Sequence, residues 1–226
     1  MIPLRSLQPR TRPAVVTGTL VLLNLLAFYY ELQLGTALPH FIKIYGLRPA
    51  IFTASWQFFD TTVWLPILSS MFLHGGWLHL AGNMLFLWVF GRNVEDEIGH
   101  GRFLMLYLVA GLAAALAQVW AMPFSRAPLI GASGAIAGVL GAYLFLFPRS
   151  RVLTLVPIFF IPFFWELPAV LLLLIWFIGQ FSAGLASLDT GQALYGGVAY
   201  WAHIGGFITG AALSVLLPRR SPKWGD

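Results

Sequence analysis

The chain has 226 residues, of which 59% are hydrophobic and only 9% are charged, whereas a soluble domain carries about 25% charged residues. This composition excludes an ordinary soluble domain and indicates a membrane protein. The net charge of +5 is explained by cationic residues at the cytoplasmic ends of helices, so it is no sign of nucleic-acid binding. The sequence has no cysteine, which excludes disulfide and thiolate chemistry.

Six apolar runs are mostly long enough to cross the hydrocarbon core of a bilayer, which takes about 20 helical residues. They predict one all-α polytopic domain over residues 1–226, with no internal repeat and no second domain. The first run could imitate a signal peptide, but it is long for one and no clear cleavage site follows it. We therefore interpret it as a retained span. The six runs are residues 14–33, 77–91, 103–121, 131–147, 167–187 and 198–217.

The distribution of cationic residues predicts the orientation of these spans. With the N-terminus inside, ten Lys and Arg residues lie in inner segments and three in outer segments. This bias indicates that both termini are cytoplasmic. The inner residues are Arg5, Arg10, Arg12, Arg92, Arg102, Arg149, Arg151, Arg219, Arg220 and Lys223, and the outer ones are Lys43, Arg48 and Arg126.

Two further segments are apolar but are not predicted to cross the membrane. Residues 152–165 are short for a span and contain Pro157 and Pro162, which break helices, so we expect an interfacial connection there. Residues 34–65 form a long outer segment that is rich in aromatic residues and poor in charge. Because aromatic rings favour the headgroup level, we expect this loop to lie on the outer leaflet or dip into it.

Polar side chains inside spans are costly and are rarely accidental. With the predicted topology, Ser133, His203, His79 and Asn83 all lie at a similar depth in the outer half of the bilayer. His79 and Asn83 are four residues apart, so they share one helix face, and both can donate hydrogen bonds when neutral. The remaining candidates are interpreted as polar packing residues; they are Asn24, Gln118 and Gln180.

Glycines surround the serine and the histidine. Gly134 with Gly138, and Gly206 with Gly210, form two G-x-x-x-G pairs, which allow helix backbones to approach closely. Two helices of this kind can bring a serine and a histidine within hydrogen-bonding distance. A zinc protease site is not indicated, because it takes two histidines four residues apart with a glutamate between them. An aspartic mechanism is excluded because no pair of intramembrane aspartates exists.

Three segments of the chain resemble the signature motifs of the rhomboid family of intramembrane serine proteases. They are "HGGWLHLAGN" (74–83), "GASGAIAG" (131–138) and "AHIGGFITG" (202–210). The family pattern is H-x-x-x-x-H-x-x-x-N in the second span, G-x-S-G in the fourth and A-H-x-x-G-x-x-x-G in the sixth. All three occur here in the same order and in the corresponding spans, and the resemblance covers essentially the whole chain.

The resemblance implies a six-helix protein with Ser133 as nucleophile and His203 as general base and acid. It also implies that His79, Asn83 and the backbone of Ser133 hold the oxyanion. The supporting residues are His74, Gly131, Gly134 and Gly206. Some family members carry an aromatic residue four positions after the serine, stacked on the histidine, but this chain has Ala137 there. The orientation of His203 must then come from elsewhere.

The expected function is that of a serine endopeptidase that cuts transmembrane segments of membrane proteins, without cofactor or metal. The expected partners are transmembrane substrates and the lipid bilayer, the expected location is a bacterial or archaeal inner membrane, and the sequence does not indicate an oligomeric state. Residues 187–197, with three glycines, suggest a mobile lid over the site. Two alternatives remain open: a channel or transporter lined by the buried serine and histidine, and an inactive rhomboid relative that binds membrane segments.

Overall fold

The computed structural model describes residues 1–58, 60–159, 161–189 and 197–218. Most of these residues are helical, as the composition predicts. The α-helices are α1 (Val15–Gln33), α2 (Leu38–Tyr45), α3 (Pro49–Ser55), α4 (Thr61–Ser69), α5 (Trp77–Phe86), α6 (Arg92–Ile98), α7 (His100–Ala121), α8 (Ser133–Leu146), α9 (Ala169–Asp189) and α10 (Tyr200–Leu216). The strands are β1 (Ile2–Ser6), β2 (Arg151–Ile158) and β3 (Ile161–Pro168).

Helices occupy all six predicted apolar runs, but they differ in length. Within the described part of the chain, three helices are long and apolar enough to cross a membrane: α1, α7 and Ala169–Leu188 of α9. Helices α8 and α10 are apolar but have only 14 and 17 residues. Helix α5 continues through a π-helical turn at Leu87–Gly91 into α6.

Helix α8 lies at the centre of the bundle, buried from Ala135 to Tyr143. It contacts α10 through glycines on both helices. A Cβ atom at Gly206 would collide with the carbonyl oxygen of Gly134, and one at Gly210 would collide with that of Gly138. The two backbones therefore touch, which only residues without a side chain permit.

The aromatic-rich segment 34–65 contains two short helices and the start of a third, α4, which ends at Ser69. This segment packs against the bundle through a small apolar cluster that includes Leu47, Phe52 and Ile67. Leu47 forms an isolated antiparallel bridge with Leu129, in the connection that precedes α8. The backbone N–H of each residue of this bridge donates to the carbonyl of the other, at 3.1 and 2.7 Å. The loop is thereby held next to the start of α8.

A three-stranded antiparallel sheet, in the order β1-β2-β3, corrects the all-α expectation. Residues 152–165, expected to be an irregular interfacial connection, form most of the β2–β3 hairpin. The prolines that argued against a helix lie directly opposite each other, at Pro157 and Pro162. The remaining residues are mostly β-branched, leucine or aromatic, types that suit a pleated surface. Strand β1 pairs with the first half of β2, so the N-terminus contributes to the same sheet.

Glu95 and Asp96 of α6 bind α1 and the segment that precedes it. The Glu95 carboxylate accepts hydrogen bonds from the backbone N–H groups of Val16 and Thr17, both at 2.7 Å. It also contacts His100 at 2.6 Å, and Asp96 accepts from the backbone of Thr11 at 2.8 Å. A carboxylate at this position satisfies the first N–H groups of α1 and complements its dipole.

Candidate active site

Ser133 is the first residue of α8, so its backbone N–H has no acceptor within the helix. It follows Gly131, whose φ of +119° favours glycine. The N–H of Gly131 donates to the carbonyl of Ser70 at 2.8 Å. A Cβ atom at Gly131 would lie 2.7 Å from Nε2 of His79. The glycine thus allows the His79 ring to approach the chain two residues before the serine.

Ser133 and His203 are joined by a short hydrogen bond. Oγ of Ser133 lies 2.8 Å from Nε2 of His203. His203 belongs to the first turn of α10, immediately before the glycines by which α10 touches α8. The close approach of the two helix backbones therefore brings together two side chains that are 70 residues apart in the sequence.

Gln180 of α9 contacts the other ring nitrogen of His203. Its Oε1 lies 2.6 Å from Nδ1 of His203. An amide oxygen only accepts hydrogen bonds, so Nδ1 carries the ring proton. Nε2 is then left with a lone pair, which accepts a hydrogen bond from the hydroxyl of Ser133. The sequence interpretation treated Gln180 as a packing residue and missed this contact.

Trp176 provides an aromatic neighbour for His203, with ring centroids 5.8 Å apart and planes inclined by 36°. Ala137, at the position where some relatives carry an aromatic residue, is fully buried in α8. Trp176 and Gln180 are four residues apart on α9 and so share one helix face. A tryptophan and a glutamine at this spacing in an apolar helix are a sequence signal that this face of α9 meets a polar partner, although they do not name the partner.

His79 and Asn83 extend from α5 towards the start of α8, and both line the cavity that contains Ser133. Nδ1 of His79 accepts from the backbone N–H of Gly75 at 3.3 Å. The ring proton of His79 is therefore on Nε2, the atom that lies next to Gly131. Each of the two side chains presents N–H groups on this side of the cavity.

His74 is buried behind Asn83 and is only 2% exposed. Its Nε2 accepts from Nδ2 of Asn83 at 2.9 Å, while its Nδ1 donates to the carbonyl of Phe72 at 3.2 Å. Burial, with a smaller contribution from nearby His79, lowers the pKa of His74 to about 4. The ring is thus neutral at physiological pH and able to accept this hydrogen bond. Glu31 of α1 holds the same turn by accepting from the backbone N–H of His74 at 3.1 Å.

These groups surround one cavity of about 850 Å³. Its wall combines the polar groups with apolar residues of α5, α8 and α9. The lining includes Ser133, His203, His79, Asn83, Gln118, Phe86, Leu140 and Trp176. Most of the predicted lid at 187–197 lies outside the described residues, which here end at Asp189 and resume at Gly197.

Comparison with known proteins identifies this arrangement. The family model for the rhomboid domain matches residues 61–220, which include Ser133, His203, His79 and Asn83 and the helices that carry them. Rhomboid protein 1, mitochondrial, of Saccharomyces cerevisiae is 34% identical over 154 residues, covering 65% of this chain and 40% of that protein. Rhomboid protease GluP of Bacillus subtilis is 36% identical over 127 residues, covering 56% of this chain and 23% of that protein.

A further relative covers more of the chain. Rhomboid-like protein 11, chloroplastic, of Arabidopsis thaliana is 29% identical over 191 residues, covering 80% of this chain and 60% of that protein. The matched region is thus less than two thirds of each of these three relatives. Because the family model covers well over half of the sequence and its three signature segments surround one cavity, the chain belongs to the rhomboid family.

Proposed function

We propose that the chain is an intramembrane serine endopeptidase that cleaves transmembrane segments near the outer leaflet. The observation that carries the proposal is the 2.8 Å contact between Oγ of Ser133 and Nε2 of His203, with the His203 tautomer fixed by Gln180. A serine hydroxyl is a weak nucleophile until a neighbouring base accepts its proton. Here the base is adjacent, and its lone pair points at the hydroxyl.

In the proposed reaction, Ser133 attacks a peptide carbonyl while His203 accepts the hydroxyl proton. The oxyanion of the tetrahedral intermediate is held by the Ser133 backbone N–H, Nε2–H of His79 and Nδ2–H of Asn83. When the intermediate collapses, His203 returns the proton to the leaving amine and an acyl-enzyme remains. Water, activated in the same way by His203, then hydrolyses the ester and restores the serine.

Gln180 has the place that a carboxylate has in a Ser-His-Asp triad, but it carries no charge. It orients the imidazole and fixes its tautomer, as the third residue of a triad does. It gives less electrostatic stabilisation to the imidazolium that forms during the reaction. Trp176 adds an aromatic neighbour that favours the cationic ring. We therefore expect a correctly assembled but slow enzyme.

We further propose that all six apolar helices span the membrane, with both termini in the cytoplasm of a bacterial or archaeal cell. The bias of cationic residues towards inner segments supports this orientation. The cysteine-free sequence allows a direct test with single cysteines and an impermeant maleimide. A cysteine at the exposed position Arg126 should react from outside, and one at the exposed position Arg149 should not.

The proposed substrates are single-span proteins whose helix is weakened near its outer end by Gly, Pro or Ser. A helical segment hides its carbonyls in internal hydrogen bonds, so Ser133 can reach one only after local unwinding. Breaking backbone hydrogen bonds in lipid costs several kcal/mol for each unsatisfied group. Replacing Gly or Pro in the outer third of a substrate span by Leu should reduce cleavage, and equal cleavage of an uninterrupted poly-Leu span would contradict this selectivity.

Labelling by a serine-reactive fluorophosphonate tests the proposal against an inactive relative, a channel and a transporter. The wild-type protein should be labelled in detergent, and both Ser133→Ala and His203→Ala should not. Ser214→Ala is the matched control, because Ser214 is a buried serine of α10 whose hydroxyl bonds to the carbonyl of Ala211. Unchanged labelling of Ser133→Ala, or absence of labelling in a folded wild-type protein, would overturn the proposal.

A further inference from the structure

The tip of the β2–β3 hairpin is an exposed apolar projection outside the bundle. Residues 156–164 consist only of valine, isoleucine, phenylalanine and proline. Strand β1 pairs only with Val152 to Leu155 of β2, so the hairpin extends beyond the three-stranded part of the sheet. Side chains at the tip are exposed by 91% at Phe159, 57% at Ile161 and 60% at Phe164. Large exposed apolar patches of this kind mark contact surfaces rather than surfaces in water.

The two prolines indicate what surrounds this tip. Pro157 and Pro162 face each other in the antiparallel register, and neither has an N–H to donate. The pair is therefore a non-hydrogen-bonded one, in which the backbone nitrogens point away from the hairpin. At these positions any other residue would place an unpaired N–H donor on each free edge. The prolines remove those donors.

An edge that lacks an N–H donor at the residue next to the turn is a poorer template for a further strand, because strand addition requires main-chain hydrogen bonds. It suits hydrocarbon surroundings, where an unpaired backbone donor is costly. The prolines at its edges therefore make the tip better suited to contact lipid than to pair with a further strand.

The position of the hairpin in the fold also agrees with a lipid environment for the tip. It begins just after α8 and runs directly into α9, and the N–H of Ala169 donates to the carbonyl of Ser150 at 2.9 Å. Helix α9, which follows the hairpin, also has exposed apolar residues, among them Leu171 and Leu174. Charged side chains are confined to the base, where Arg149, Arg151 and Glu166 are exposed and Arg151 lies 3.9 Å from Glu166. An apolar tip above a base with a net positive charge matches the change from acyl chains to phosphates across a leaflet.

We propose that the β2–β3 hairpin inserts its tip among the acyl chains of the leaflet at the side where α8 ends and α9 begins, with its arginines at the level of the lipid phosphates. The hairpin then fixes the first turn of α9 at the membrane surface. Helix α9 carries Trp176 and Gln180 against His203, so the hairpin anchors the helix that supports this histidine. The inference concerns lipid contact and does not depend on proteolysis.

The test uses single cysteines in the otherwise cysteine-free chain. The variant Phe159→Cys is labelled with the environment-sensitive fluorophore NBD and reconstituted in vesicles of phosphatidylcholine and phosphatidylglycerol. Phe159 is almost fully exposed, so the substitution removes no packing. Leu174→Cys, on the exposed apolar face of α9, is the control for a lipid contact, and Thr11→Cys, in the exposed segment before α1, is the control for water.

The proposal expects a blue-shifted emission at residue 159 and quenching by nitroxide-labelled acyl chains comparable to that at residue 174. This quenching should be several times greater than at residue 11, and it should not change when the protein is diluted in lipid. Emission and quenching like those of residue 11 would overturn the proposal. Shielding from both water and the lipid-borne quencher, or quenching that depends on the protein-to-lipid ratio, would also overturn it, since another copy of the chain would then cover the tip.

Discussion

His79 and His203 line the same cavity with their ring protons on opposite nitrogens. His79 accepts the N–H of Gly75 at Nδ1 and so carries its proton on Nε2, whereas His203 donates from Nδ1 to Gln180 and keeps a lone pair on Nε2. In the proposed mechanism the first ring donates to the oxyanion and the second accepts from the serine. The hydrogen-bond partners of the two rings therefore give each histidine the tautomer that its proposed role requires.

Gln180→Ala should lower kcat by about fivefold with little change in KM, because one orienting hydrogen bond contributes about 1 kcal/mol. Gln180→Glu should recover most of the loss, since a carboxylate can accept the same hydrogen bond and also stabilises the imidazolium. The measurement is steady-state cleavage of a reconstituted transmembrane substrate. Leu174→Ala, on the exposed face of the same helix, is the control. Equal losses in all three variants would mean that α9 acts only through packing.

His79→Ala should lower kcat by about 10²–10³ with KM nearly unchanged, as expected when a donor acts on charge that develops in the transition state. A variant that mainly raised KM would instead identify His79 as a substrate-binding residue.

His74→Ala should lower kcat less than Asn83→Ala, because His74 acts by holding the Asn83 amide. The double variant should be no slower than Asn83→Ala alone, since the two residues are coupled. The double-mutant cycle on kcat measures this coupling, with thermal unfolding as the control for folding. Additive losses would contradict the positioning role of His74.

Acidification should destabilise the fold through His74. Its pKa is lowered from 6.5 to about 4 in the folded protein by burial. Between these two values the unfolded chain binds a proton that the folded chain does not. The stabilising contribution is therefore complete above 6.5 and is lost as the pH falls towards 4. The fall in unfolding temperature from about pH 7.5 to about pH 5 should be larger in the wild type than in His74→Gln. Parallel pH dependences in the two proteins would exclude this explanation.

Gly210→Ala should reduce both thermal stability and fluorophosphonate labelling, because the new Cβ atom collides with the carbonyl of Gly138. Overpacking of this kind costs about 1–3 kcal/mol. The shift of α10 against α8 should also lengthen the contact between His203 and Ser133. Gly179→Ala is the matched control, since a Cβ at that position of α9 would meet no atom of another described helix within 4 Å. If the two variants show the same stability and the same labelling, the glycine contact does not determine how closely His203 approaches Ser133.

Much of this arrangement could be predicted from the sequence. The length and apolar composition of the six runs predicted the positions of the helices, and the glycine pairs indicated which helices approach closely enough to join a serine to a histidine. The catalytic roles of these residues stay predictions. A single glutamine in an apolar helix does not reveal its partner, so the contact of Gln180 with His203 was missed. The contact depends on how α9 packs against α10, which neither helix encodes in its own sequence.

The sheet was missed for a different reason. Residues 152–165 have the hydrophobicity of a membrane segment and two prolines that interrupt a helix, and local pattern alone does not reveal that the prolines face each other across a hairpin. The pairing with β1 joins residues about 150 positions apart, which no local propensity encodes. Glu95 and Asp96 bind α1 and the segment before it, contacts that no local pattern predicted.

Helix α1 is bound by a carboxylate at each end. Glu95 accepts the first N–H groups of α1, and Glu31, in its last turn, accepts the N–H of His74. Its 19 residues correspond to about 28 Å at 1.5 Å per residue. The separation between Glu95 and the turn that supports Asn83 is therefore set by the length of a helix inside the protein. Bilayers of different thickness would then change the tilt of the whole molecule before they change the distances within its cavity.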